Sequence, residues 1–414
     1  MDDTSLQKWL KISLFNLLLV ACAGVILRYK IAFSLPWVDQ KYLLHGHSHF
    51  AFAGWITQAL MSLLVQYLRE NGQVDAFQKY RFLLYANLVT AYGMLISFPL
   101  QGYAPVSIVF STLSIFVSYA FAIIYIKDLN RISVKSTTIL WFRSAVFFNA
   151  LSSAGAFTLA YILATKQYNE RLYLAAVYFF LHFQYNGWFF FACMGLLNYQ
   201  LLKSGFENEQ LRKIYWLFFL ACIPAYLLST LWFNLPAWIY WIVVAAAISQ
   251  VFAWIKLIAM IKKNLNSLVS RLPKFSVIIF ILVAIALSIK LSLQGLSVIP
   301  SLSILATGFR PIVIGYLHLV LLGIISLFIL GYIFSQRYLY ISKVSATGLF
   351  ILIAGILFNE IVLMLQGIGG IWYVPIAYAD LLLLVAAFVL FTGVLVLNYS
   401  LFFKRYAFAH KLNE

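Results

Sequence analysis

The sequence predicts an all-α polytopic membrane protein of twelve transmembrane helices, and three observations carry that prediction. Of 414 residues, 64% are hydrophobic and only 10% charged, more apolar surface than one soluble core can bury. The mean hydropathy is +0.93. The apolar residues gather into twelve runs long enough to cross a bilayer, which takes about 17–25 residues. The longest polar connections, near 69–80, 127–137, 203–212 and 262–274, are too short to fold alone. Residues 1–414 therefore read as a single integral membrane domain.

The runs are 10–29, 43–68, 80–100, 105–127, 138–164, 172–202, 211–231, 236–260, 275–293, 309–335, 345–366 and 372–402. The first follows Lys8 and Lys11 and contains Leu19-Val20-Ala21-Cys22, which looks like a lipoprotein cleavage box. Asp2 and Asp3 lead the segment and the apolar run continues through Leu27, so an ordinary first span is expected. Pro36, Pro99, Gly102, Pro236 and Pro300 punctuate the connections, whereas Pro224 falls within a run, where neighbouring helices tolerate it. Cys22, Cys193 and Cys222 form no Cys-x-x-Cys and sit in apolar surroundings, so they predict neither a disulfide nor a thiolate metal site. No internal repeat is evident, which argues against an inverted-repeat transporter.

Net charge is +17, and the basic residues lie mostly between the runs. That placement speaks for topology and anionic lipid headgroups and against nucleic acid. Connections after even-numbered runs, with the adjoining ends, carry sixteen Lys and Arg, among them Arg69, Lys79, Arg81, Arg212, Lys213 and Arg271. Those after odd-numbered runs carry seven: Arg28, Lys30, Lys41, Lys166, Arg171, Lys290 and Arg310. The positive-inside rule places both termini in the cytoplasm, as in a multi-pass bacterial inner-membrane protein.

Five of the six histidines fall on three of the runs. His45, His47 and His49 open the second, His182 lies in the sixth and His318 in the tenth; His410 is in the tail. Imidazole is rare in hydrocarbon because both ring nitrogens need partners there. At 1.5 Å per residue, His49, His182 and His318 lie roughly 9–15 Å below the outer boundary, a common level that suggests one shared site. On a regular helix His45 and His49 share a face and His47 points nearly opposite. The plain alternatives are an interfacial polar cap for the first cluster and a lone interhelical hydrogen bond for His318. For His182, a metal-free network with Gln184, Tyr185 and Asn186 would serve. Haem fits the set because its iron takes neutral imidazole on both axial sides and an apolar bundle houses the macrocycle.

Twelve helices with histidines on the second, sixth and tenth resemble the catalytic subunit I of the heme-copper oxidases and their nitric oxide reductase relatives. Leu44-His45 or His47, each followed by Gly54, is similar to that family's helix-2 motif. His182 with Asn186-Gly187-Trp188 looks like the reductase helix-6 pattern, with asparagine where the family has glutamate. The resemblance implies that one of His45, His47 and His49, together with His318, ligates a low-spin haem b. It also implies that His182 holds copper or another metal. Tyr316 stands where the high-spin haem ligand would be, and the seventh run has no histidine, so a three-histidine copper site cannot be built. Ordinary oxygen reduction is not expected; electron transfer, or binding of a gas such as nitric oxide, is. A c-type cytochrome or other electron donor and further membrane subunits are the implied partners. His47-Ser48-His49 with Gly54, and Leu317-His318 with Gly323, also resemble motifs of the NnrS family, linked to haem, copper and nitric oxide stress. A haem-free transporter is the alternative from another class.

Of the other polar residues within the runs, Arg143 reads as snorkelling to the cytoplasmic face. Glu360 and Asp380, near Gln366, flank the expected outer turn between the last two runs, as a surface patch or an ion entry point. Arg310 is placed to pair with haem propionates, and Arg28 more weakly so. Tyr103, Tyr185 and Tyr316 are candidate cavity-lining residues.

Overall fold

A computed structural model describes residues 4–166, 169–233, 235–270, 272–299, 301–302 and 310–410, with side chains in the final helix described as far as Phe402. Asp2, Asp3, Arg271, Pro300 and the side chain of His410 lie outside the described residues.

The long helices are α1 (Thr4–Ala32), α2 (Gln40–Glu70), α3 (Ala76–Gln101), α4 (Pro105–Arg131), α5 (Thr137–Thr165) and α6 (170–203). They continue with α7 (Asn208–Phe233), α8 (Ala237–Lys263), α9 (Lys274–Leu296), α10 (Arg310–Ser335), α11 (Lys343–Ile371) and α12 (Ala379–His410). No strand occurs among the described residues. Eleven of these helices are long and apolar enough to cross a membrane, one fewer than the sequence predicts. The exception is α6, which is long enough, but His182, Gln184, Tyr185, Asn186 and Trp188 dilute its apolar character at mid-length.

The ends of the helices are set by ordinary capping chemistry. Asp39 accepts a hydrogen bond from the Tyr42 N–H at the start of α2, and Asn169 does the same for Leu172 in α6. Ser342 and Ser345 form a capping box at the start of α11. Pro99, expected in a connection, lies inside α3 close to its end. Lys290, counted above among connection residues, lies inside α9 and is only 5% exposed.

The described chain divides into two compact units, residues 1–120 with 329–414, and residues 121–328. In the first, α11 and α12 pack almost backbone to backbone. A Cβ on Gly348 would lie 2.6 Å from the Leu397 nitrogen, so only glycine permits this approach. Helix α1 lies against α12, where Asn398 donates to the Leu14 carbonyl at 3.0 Å. In the second unit α5, α6 and α7 bury an aromatic cluster of Trp141, Phe148, Phe191, Tyr215 and Phe218.

Among the described residues α7 ends in a 3-10 stretch, Tyr226–Phe233, kinked at Thr230, and three other helices depart from α geometry in a different way. Each contains a π-helical stretch: Ala51–Thr57 in α2, Phe183–Phe189 in α6 and Leu319–Ser326 in α10. These are the three helices that carry the intramembrane histidines. A change from i+4 to i+5 bonding shifts the hydrogen-bond ladder and leaves carbonyls at its ends without a helical N–H, so the surroundings must satisfy them. In α2 they do. Asn87 of α3 donates to the Ala53 carbonyl at 3.0 Å, and Asn16 of α1 donates to the Gly54 carbonyl at 2.6 Å.

Candidate functional site

Each π stretch begins one or two residues after a histidine. The stretch in α2 starts two residues beyond His49, and those in α6 and α10 start at the residues following His182 and His318. Nothing in the hydropathy of the sequence marks these stretches, since a π turn rotates the side chains that follow it without any change in apolar composition.

In the first unit, His45 and His49 face α3 and the loop beyond it. The His49 ring stacks on Phe98, with centroids 4.5 Å apart and planes 13° from parallel, and its Nε2 hydrogen-bonds the Tyr103 hydroxyl at 2.9 Å. His45 meets the edge of Tyr103 at 4.7 Å. Its Nε2 is buried and finds no hydrogen-bond partner, a costly arrangement for a polar atom and one suited to a ligand. Gly46, between the histidines, lets α2 close on α3, because a Cβ there would lie 2.9 Å from the Pro99 ring. His47 turns the other way, and its Nδ1 donates to the Val20 carbonyl of α1 at 3.1 Å.

In the second unit, His318 Nδ1 donates to the Ile314 carbonyl one turn back at 2.8 Å. A carbonyl only accepts, so the proton sits on Nδ1 and a neutral ring keeps its lone pair on Nε2, the tautomer a metal requires. His182 differs. Only 2% exposed, it donates from Nε2 to the Cys222 carbonyl at 2.8 Å and accepts at Nδ1 from the Asn186 amide at 3.1 Å. Both nitrogens are engaged, so ligating a metal would cost one of these hydrogen bonds. Among the described residues no group of three or more His, Cys, Asp or Glu is placed to hold a metal ion.

The remaining candidates are dispersed. Tyr316 is half-buried and meets the Tyr185 ring edge-on at 6.2 Å, where the π stretches of α6 and α10 pack together. Arg310 is exposed at the start of α10. Glu360 is well inside α11 and accepts from Asn359 at 3.1 Å, while Asp380 is exposed in the first turn of α12. Arg143 donates to Asn130 of α4. Cys22 is half-buried and, like Cys193 and Cys222, a free thiol.

Sequence reasoning missed Phe98 as the platform for His49, and Asn16 and Asn87 as the groups that hold the π stretch. Both asparagines are fully buried. The available signal was their position inside apolar runs, where an amide needs a partner. The sequence matches no family model and is similar to no curated protein with which it was compared.

Proposed function

We propose that this multi-pass membrane protein binds haem b through its intramembrane histidines and serves electron transfer or the binding of a diatomic gas. The observation that carries the reading is the placement of a histidine at the head of every π stretch among the described residues. Such stretches cost regular hydrogen bonding and recur at functional sites, where they re-aim the residues beside them. His45, His49 and His318 are the candidate axial ligands: His45 for its unpartnered Nε2 and His318 for its Nδ1–H held by a carbonyl. Phe98 and Tyr103 fix the ring plane of His49. Haem, when bound, supplies a one-electron centre or, with one axial position open, a site for nitric oxide or oxygen. His47 is the weakest ligand candidate, since it faces α1.

The reading includes a twelve-span bundle of the heme-copper oxidase type in the bacterial inner membrane, with α6 as the least apolar span and both termini cytoplasmic. An electron donor such as a c-type cytochrome belongs to the same proposal.

The test is a spectrum. Protein purified in detergent from a haem-replete host should show a sharp reduced α-band and, by pyridine haemochrome, about one haem per chain. His318→Ala should abolish the band, and so should one of His45→Ala and His49→Ala. A colourless preparation without haem overturns the proposal and favours a haem-free transporter.

A further inference from the structure

The second unit holds a buried lysine that the histidine sites do not use. Lys290 of α9 donates from Nζ to Gln294 Oε1 at 2.6 Å, and Gln294 Nε2 donates in turn to Gln250 Oε1 of α8 at 2.8 Å. All three side chains are more than nine-tenths buried. The relay has a direction. Gln294 turns its oxygen to Lys290 and Gln250 turns its oxygen to the Gln294 amide, so Gln250 is left presenting N–H groups. Lys290 and Gln250 line a small cavity with Asn186 and Cys222, and Phe190, Phe191, Phe218 and Leu291 close it. Its volume is about 10 Å3, room for roughly one water-sized body.

Among the described residues no carboxylate forms an ion pair with Lys290, so nothing there would balance an ammonium. None lines the cavity, and from residue 210 to residue 359 the sequence contains no Asp or Glu at all. An ammonium taken from water without a counter-charge is among the most expensive groups a protein can bury. A donor-rich, carboxylate-free pocket around it is the surrounding that an anion needs. We propose that this cavity binds a small inorganic monovalent anion of halide size. Lys290 supplies the charge, and the side-chain amides of Gln250 and Asn186 supply further donors. The apolar walls and the volume exclude sulfate, phosphate and organic carboxylates.

The experiment uses the full-length protein in detergent, exchanged into gluconate buffer. Chloride, bromide and sulfate are titrated at constant ionic strength while thermal unfolding and the chlorine-35 NMR line width are followed. Chloride and bromide should raise the unfolding temperature along a saturable curve, with chlorine-35 broadening that bromide competes away; sulfate should do neither. Lys290→Met should abolish both effects. Gln250→Leu should weaken the affinity about tenfold, as expected for one lost hydrogen bond to a charged partner. The proposal is overturned if chloride and sulfate act alike, or if halide binding survives in Lys290→Met. Should Lys290→Met fail to fold, Gln250→Leu decides, and unchanged halide affinity in that variant overturns the site. None of these readouts depends on haem.

Discussion

Replacing Asn87 by leucine, nearly the same size and shape but without the amide, tests whether side chains from neighbouring helices hold the π stretch of α2. Asn87 is fully buried and donates both to the Ala53 carbonyl at 3.0 Å and to Gln58 Oε1 at 2.8 Å. Each bond contributes about 0.6 kcal/mol by the average measured for membrane proteins, and about 1 kcal/mol in soluble ones. The larger effect is on the acceptors left behind. An orphaned oxygen costs about 1–3 kcal/mol where no water can reach it. Taking one orphan and two lost bonds, Asn87→Leu should destabilise the protein by about 2–5 kcal/mol. Asn16→Leu removes the donor to Gly54 and leaves the Tyr92 hydroxyl without the Asn16 Oδ1 acceptor, 2.7 Å away. Because both asparagines act on one stretch, the double variant should be non-additive by at least about 0.5 kcal/mol. Reversible unfolding in mixed micelles of dodecylmaltoside and dodecyl sulfate measures all three variants. A cost below about 0.5 kcal/mol for Asn87→Leu, or strict additivity, would refute the argument that these amides hold the stretch.

Two further outcomes follow from contacts in the structure. His182→Ala strands the Cys222 carbonyl and the Asn186 amide, and should cost about 2–4 kcal/mol while any haem α-band is retained. An α-band lost at unchanged stability would instead make His182 a ligand. Gly348→Val drives a side chain into the Leu397 backbone, which cannot swing aside, and should cost about 1–3 kcal/mol or more. Gly295→Ala, which meets nothing within 4 Å, should be neutral or stabilising by up to about 1 kcal/mol in the same unfolding assay.

Much of the architecture was legible in the sequence, because burial of backbone polar groups in hydrocarbon leaves a chain little choice but helix. Composition determined the class, and the apolar runs located the helices, most ends to within four residues. The first helix starts six residues before its run, and the last starts seven residues into its run and ends eight beyond it. The opposed faces of His45 and His47 followed from helical spacing alone, and the structure sends one toward Tyr103 and the other toward Val20. The first error concerned Lys290. A charge near the end of an apolar run reads equally as a flanking residue or a buried one, and only the approach of Gln294 one turn on, itself held by Gln250 of α8, decides between them. The second gap was the π stretches. Their cause lies in other helices, in amides such as those of Asn16 and Asn87 that satisfy displaced carbonyls, and no local pattern within α2 records that. Local periodicity thus determined which segments are helices and which faces carry histidine. Tertiary packing alone decided where those helices depart from α geometry, and that the buried Nε2 of His45 remains without a hydrogen-bond partner.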